Sequence, residues 1–414
     1  MDIVIEGNLF IDGEIKKGCV GIDEGRIVSI KKILEGESHF DFGEKLIFPA
    51  GLDVHVHFRE PGQTEKEDFF TGTRAAAMGG ITFVMDMPNN KPPAMDSDAL
   101  ERKIKTVKNK ACIDFALYGG IGEDSDIPAM AQKCKAFKMY LSGDNEMFVP
   151  IGKMEYVLQK VKESGRILAV HAESPDCIKR NEARNLSEHE RNRPVRCEIE
   201  EIKKIMEINR GVGTKIHICH VSSSRSIDVL KGSGASMGVT PHHIFFSTSS
   251  KFRYEAMGKV NPPLRHEEER MKLFESVRHG FDGIIESDHA PHLLDEKENF
   301  LTAPSGMPGV DASLPLMMEE VKRERMSLSM VHRMMCVNPA RTFGINKGSI
   351  EAGRDADLLV IDFRESEIKS YSKCGWSAYE KRKGIYPSHV FLRGEMIVEN
   401  GEFAGGEGMG KMIL

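Results

Sequence analysis

The chain opens with short runs in which apolar and polar residues alternate between Gly and Asp turns, at residues 2–6, 9–11, 18–22 and 26–33. Alternation of period two over so few residues predicts strands with one buried face. Together they read as a small β-unit ending near Phe48-Pro49-Ala50-Gly51. The rhythm then changes. Short apolar runs recur at residues 52–58, 81–86, 112–118, 136–140, 167–171, 215–221, 236–239 and 284–287, and stretches such as 96–108 and 199–209 between them carry helical spacing. Eight buried strands separated by helices predict an α/β fold, a parallel (β/α)8 TIM barrel rather than an open sheet. The tail returns to β character at 357–362 and 389–392, with turns at Gly394 and Gly401. The expected organisation is therefore a barrel over residues 51–345 and a small β-sandwich formed by both chain ends, residues 1–50 and 346–414.

Composition narrows this little. The 414 residues are 40% hydrophobic and 29% charged, which is globular and neither disordered nor fibrous. The net charge of −6, with both signs scattered, offers no basic face, so no nucleic-acid partner is expected. No apolar run is long enough to span a bilayer, and the acidic start Met1-Asp2-Ile3-Val4-Ile5-Glu6 is unlike a signal peptide. A cytoplasmic protein with no membrane partner is expected. The eight cysteines contain no C-x-x-C pair and read as reduced, mostly buried thiols. The Gly-rich stretch 231–238 lacks the Gly-Lys-[Ser/Thr] ending of a phosphate-binding loop.

Chemistry concentrates at the predicted strand ends. In Leu52-Asp53-Val54-His55-Val56-His57 the two histidines share one side of a strand, at the end where barrel enzymes carry their sites. His171 closes one apolar run, His220 another, and Asp288 follows a third. A lone histidine is usually a satisfied core residue; four histidines and an aspartate at strand ends predict a metal site. Lys138 lies within the apolar run Ala136-Phe137-Lys138-Met139-Tyr140. Buried, such an amine loses its proton readily and can react with CO2 to a carbamate able to bridge two metals; the bland alternative is a lysine snorkelling at a strand end.

The run His55-Val56-His57-Phe58-Arg59-Glu60-Pro61-Gly62 resembles the dihydroorotase signature of the amidohydrolase superfamily. So do Met87-Pro88-Asn89-Asn90, His171-Ala172-Glu173, Cys219-His220-Val221-Ser222, Thr240-Pro241-His242-His243, Ser287-Asp288-His289-Ala290-Pro291-His292 and the closing stretch 348–358, in the family's order. The resemblance implies two zinc ions, one on His55, His57 and Asp288, the other on His171 and His220, bridged by carbamylated Lys138. It implies attack of a metal-activated hydroxide on a cyclic amide, with Asp288 as general base and then acid. The implied substrates are N-carbamoyl-L-aspartate and L-dihydroorotate of pyrimidine synthesis. Arg59, Asn89 and His292 would hold the carboxylate, and Asn261 with the backbone at Ser305 and Gly306 the ring amide. A homodimer or an association with other enzymes of that pathway is left open.

Three departures stand out. The stretch 141–146 lacks the Thr-Phe pair with which some relatives close over substrate. Some relatives bind a third metal through a Cys beside the histidine and a Glu before Pro-His-His; Cys219 matches, but Gly238 stands at the second place, so no third metal is expected. The run Ser372-Lys373-Cys374-Gly375-Trp376-Ser377 only partly matches the family's tail and receives no role. The competing readings are an allantoinase or dihydropyrimidinase, separated by Arg59, and a non-catalytic scaffold, which would lose ligands.

Overall fold

The computed structural model describes residues 1–143 and 145–414. Eight parallel strands follow one another around a barrel: β5 (Gly51–Val56), β6 (Ile81–Asp86), β7 (Asp114–Gly120), β8 (Ala136–Tyr140), β9 (Ile167–His171), β10 (Ile216–Ile218), β11 (Ser236–Val239) and β12 (Ile284–Ile285). The circle closes through a parallel bridge from Val56 to His289, where the His57 N–H donates to the His289 carbonyl at 2.8 Å. Every residue of β5, β6, β7 and β9 is buried, as strands covered on both faces require. The outer helices follow their sequence signals. Ser97–Val107 starts on the side chain of Asp96, which accepts from the Ala99 N–H, and buries Leu100 and Val107. Val195–Val212 ends on Gly213, whose left-handed φ of 79° suits glycine.

A second sheet is built from both ends of the chain. The first ends supply β1 (Ile3–Ile11), β2 (Glu14–Asp23), β3 (Arg26–Lys31) and β4 (Ser38–Pro49). The later ones are β13 (Leu358–Ile361), β16 (His389–Leu392), β17 (Glu395–Glu399) and β18 (Glu402–Phe403). The expected sandwich is one curled eight-stranded sheet, ordered β18-β17-β16-β13-β4-β1-β2-β3, whose β3 edge meets the chain before β13 at the Arg26–Asp355 bridge. It wraps Ile5, Val20, Ile27, Leu358 and Phe391. Between β13 and β16, the short pair β14 (Ser366–Glu367) and β15 (Lys383–Gly384) packs towards the barrel, where the Ile385 N–H donates to Pro315 O. The last residues also return to the barrel: Phe115 N–H donates to Lys411 O at 3.0 Å, and Ile413 N–H to Phe115 O at 2.8 Å.

One expectation fails. Cys177 and Cys197 form a disulfide, so the cysteines are not all free thiols. They are 20 residues apart, and only the folding back of the loop after β9 brings their Cα atoms to 5.2 Å.

Candidate metal centre

The period-two geometry of β5 points His55 into the barrel mouth, and His57 follows on the same side. The turn beyond is held by Asp86 at the end of β6: its carboxylate accepts from the Phe58 N–H at 2.6 Å and is ion-paired with buried Lys103. Asp288 arrives from the far side of the barrel. His55 Nε2 lies 3.2 Å and His57 Nε2 3.0 Å from Asp288 Oδ1. His55 Nδ1 faces Glu286 Oε1 at 3.4 Å, and His57 Nδ1 faces Asn89 Oδ1 at 2.6 Å. With the proton on each Nδ1, two Nε2 lone pairs converge on a carboxylate oxygen. Three acceptors facing one point, with no donor between them, are the arrangement that a cation satisfies.

The second corner repeats the logic. His171 Nε2 is 2.7 Å from Glu173 Oε2, which Arg193 also grips at 2.7 Å, so the His171 Nδ1 lone pair faces His220 Nε2 at 3.1 Å. Burial pushes the pKa of His55 down to about 4 and that of His220 well below its ordinary value. Both imidazoles are thus neutral, the form that ligates metal. Burial raises the Asp288 carboxyl; the facing His55 and His57 rings, when protonated, more than offset this and hold it well below its ordinary value. His220 and Asp288 have left-handed φ angles of 38° and 47°, a costly backbone for non-glycine residues that clusters at functional sites.

Lys138, fully buried in β8, donates to Cys219 Sγ at 3.1 Å and sits 4.9 Å from the centre of the Tyr140 ring. Burial favours the neutral amine. Cys219 and Tyr140 would reverse that and hold the amine above its ordinary value if they were anions. Burial lifts each of them to about 12, so at neutral pH both are uncharged and the desolvated amine has no anion of theirs beside it.

A cavity of about 250 Å³ opens over these groups. Arg59, Asn89, Asn261, Ser305 and Gly306 line it with His55, His57, His171 and His220, and so do Tyr140, Ser142 and Asn145. His292 stands behind Arg59 rather than on the wall, its Nε2 3.1 Å from Arg59 Nη2. Asn89 is engaged with His57, Asn261 Oδ1 lies 3.0 Å from His189 Nε2, and the Gly306 N–H donates to Lys259 O. Ser142 and Asn145 belong to the stretch whose closing role the sequence left open; Asp144 of that stretch lies outside the described residues.

Sequence reasoning missed Glu286. Fully buried, it meets His55 Nδ1, accepts from the His220 N–H at 2.7 Å and lies 3.1 Å from His217 Nε2. Burial works against its ionisation, but His217 and His55 hold it below the usual carboxylate range. His55, Cys219 and Glu286 form a second cluster of potential metal donors beside His55, His57 and Asp288. The available signal was a glutamate inside the apolar run Gly283-Ile284-Ile285-Glu286. Glu173 and Arg193 were missed as well: the first stood in view in His171-Ala172-Glu173, but its partner is 20 residues away.

A (β/α)8 barrel with histidine, lysine and aspartate side chains gathered at its strand ends defines an amidohydrolase. The Amidohydrolase family profile matches residues 46–401, and the chain belongs to that family. Within it, the chain is 35% identical to the dihydroorotase of Thermoplasma acidophilum over 408 residues, 97% of this chain and 96% of that one. It is 32% identical to the dihydroorotase of Methanosarcina acetivorans over 424 residues, 94% of this chain and 90% of that one. Among solved structures it resembles L-hydantoinase (dihydropyrimidinase) from Arthrobacter aurescens, with a TM-score of 0.93, 26% identity and 99% of both chains covered.

Proposed function

We propose that the protein is a dihydroorotase, interconverting N-carbamoyl-L-aspartate and L-dihydroorotate on a two-metal site. Arg59 carries this reading. Its guanidinium is buried at the cavity wall, its Nε donates to Pro291 O at 3.0 Å, and no carboxylate of the described residues lies within ion-pair distance of it. It is not paired with Glu60, which accepts from the Phe69 N–H and pairs with Lys110. A buried cation without a counter-charge is costly, and a substrate carboxylate supplies one bidentately. Dihydroorotate carries that carboxylate; an unsubstituted hydantoin or dihydropyrimidine does not. The likeness to hydantoinases in fold favours the rival cyclic amides only through the shared barrel.

Imidazole and carboxylate donors suit zinc, with His55, His57 and Asp288 holding one ion and His171 and His220 the other. The neutral amine of Lys138, adding to CO2 and losing a proton, would supply a carbamate whose charge could help hold both ions. Bound there, the metals would polarise the amide carbonyl and lower the pKa of a water between them. Asp288, held ionised, takes that water's proton and hands it to the ring nitrogen as it leaves; in ring closure the same carboxylate deprotonates the carbamoyl nitrogen. Arg59 fixes the carboxylate, and Asn261 with the 305–306 backbone meets the ring amide, so the scissile bond lies over the histidines.

This reading places the enzyme in the cytoplasm, in pyrimidine synthesis, with self-association or docking to a pathway neighbour compatible with it. Purified protein assayed on dihydroorotate, carbamoyl-aspartate, allantoin and dihydrouracil, with metal analysis alongside, tests it. Turnover of the first pair with about two zinc per chain, as two-metal chemistry requires, is expected. Turnover of allantoin or dihydrouracil without dihydroorotate overturns it, as does carefully isolated protein free of metal.

A further inference from the structure

Two cations flank one imidazole. Arg59 Nη2 lies 3.1 Å from His292 Nε2, and Lys66 Nζ lies 3.3 Å from His292 Nδ1. A neutral imidazole has one N–H and one lone pair, so it accepts from only one of them. Ser305 O stands 3.2 Å from Nε2, whereas the nearest carboxylate oxygen on the Nδ1 side, Glu296 Oε2, is at 3.8 Å. With the proton on Nε2, the ring donates to Ser305 and accepts from Lys66, at the cost of setting an N–H against Arg59 Nη2. With the proton on Nδ1, it accepts from Arg59 but sets an N–H against an ammonium and abandons Ser305. The first tautomer is favoured. Arg59 Nη2 then faces a donor, and its hydrogens need an acceptor from the cavity.

Both grips on His292 lead to the C-terminal segment. Lys66 is held by Glu296 at 2.7 Å, and its neighbour Glu67 accepts from the Lys373 N–H at 3.2 Å and from the Ser372 hydroxyl. Trp376 Nε1 donates to the carbonyl oxygen of His292 itself at 2.8 Å. The run 372–377, which had no role in the sequence, therefore braces the loop that carries Lys66 and the backbone that carries His292.

We propose that Lys66 and Trp376 are positioning residues that lock His292 as an Nε2–H donor and thereby leave Arg59 Nη2 to bind the carboxylate of an anionic substrate. The identity of that substrate rests on the dihydroorotase reading; the tautomer does not.

Long-range proton–nitrogen correlation spectra of metal-loaded protein labelled at histidine nitrogen read the tautomer directly. A His292 signal of the Nε2–H form is expected in the wild type, and a shift towards Nδ1–H in Lys66→Met. In steady-state assays Lys66→Met and Trp376→Phe raise KM for dihydroorotate about tenfold, the loss of one hydrogen-bond-sized interaction. They leave kcat within about twofold, because the ligand set is untouched. Lys66→Arg, which keeps a cation, recovers most of the KM. An Nδ1–H signal in the wild type overturns the inference, as does a Lys66→Met protein of unchanged KM. If Lys66→Met does not fold, the wild-type tautomer decides. Wild-type protein inert towards dihydroorotate sinks the functional reading and leaves the tautomer to be judged separately.

Discussion

A Cβ placed on Gly238 would lie 2.2 Å from Glu286 Cδ: the carboxylate at the end of β12 occupies the space that β11 leaves by having no side chain there. Glu286 in turn faces His55 Nδ1 at 3.4 Å and holds the His220 backbone N–H at 2.7 Å, so one glycine makes room for a group that touches candidate ligands in both corners. Gly238→Ala is expected to push this carboxylate aside and weaken metal binding about 10–100-fold, the range for losing an outer-shell partner. Glu286→Gln, which keeps the shape, should do less. Competition with a calibrated chelator measures it, and tight binding in both variants would show that Glu286 does not aim the histidines.

Arg59, the proposed anchor of the substrate carboxylate, offers a test of the substrate reading. Arg59→Met should lower kcat/KM for dihydroorotate by about 10²–10³-fold, since a charge-assisted bidentate contact contributes about 3–4 kcal/mol. Arg59→Lys should recover little, because a lysine offers no planar fork. Steady-state kinetics decide this. A Met variant within tenfold of wild type would move the carboxylate site elsewhere.

The two sheets are joined by a buried charge cluster. Lys347 Nζ is 2.8 Å from Asp114 at the start of β7, 2.7 Å from Asp357 just before β13 and 3.3 Å from Asp355. Despite burial, the three aspartates hold Lys347 above its ordinary value. Lys347→Met leaves buried carboxylates without their shared cation and should cost about 3–5 kcal/mol in stability. Denaturant unfolding measures the loss, and a change below about 1 kcal/mol, the scale of an exposed ion pair, would mean that the cluster is solvated.

His189 supplies a pH signature away from the candidate metal ligands. Burial lowers its pKa to about 4, and its Nε2 lies 3.0 Å from both Val260 O and Asn261 Oδ1. The unfolded chain takes up this proton near pH 6.5, before the folded one does. Its contribution is therefore complete above pH 6.5 and is lost as pH falls to about 4, by about 3 kcal/mol in all. Unfolding of the wild type against His189→Gln from pH 7 to 4 should show the gap closing by that amount. A gap independent of pH would mean that the ring titrates normally.

The barrel was legible because its strands are buried on both faces and carry continuous apolar runs; β6, β8, β9 and β11 have the bounds expected of them. β4 was not, because residues 38–45 are half exposed and charged; residues 38–41 are held as a strand by pairing with β1, and β13 from the far end of the chain pairs with residues 46–49. The Cys177–Cys197 disulfide and the Glu173–Arg193 pair were hidden for the same reason: residues that meet through a loop leave no periodic trace.

The alternation of His55 and His57, and the placing of His171, His220 and Asp288 at the ends of apolar runs, were set by local order, since a strand's geometry decides where its side chains point. What those side chains face was decided only by closure of the barrel. Closure brings Asp288 within 3.2 Å of His55 across more than half the chain, gathers the histidines about a common centre and sets Arg59 at the wall with no carboxylate of the described residues in ion-pair distance. Orientation and desolvation arise from contacts between distant segments, and these exist only once the core has packed.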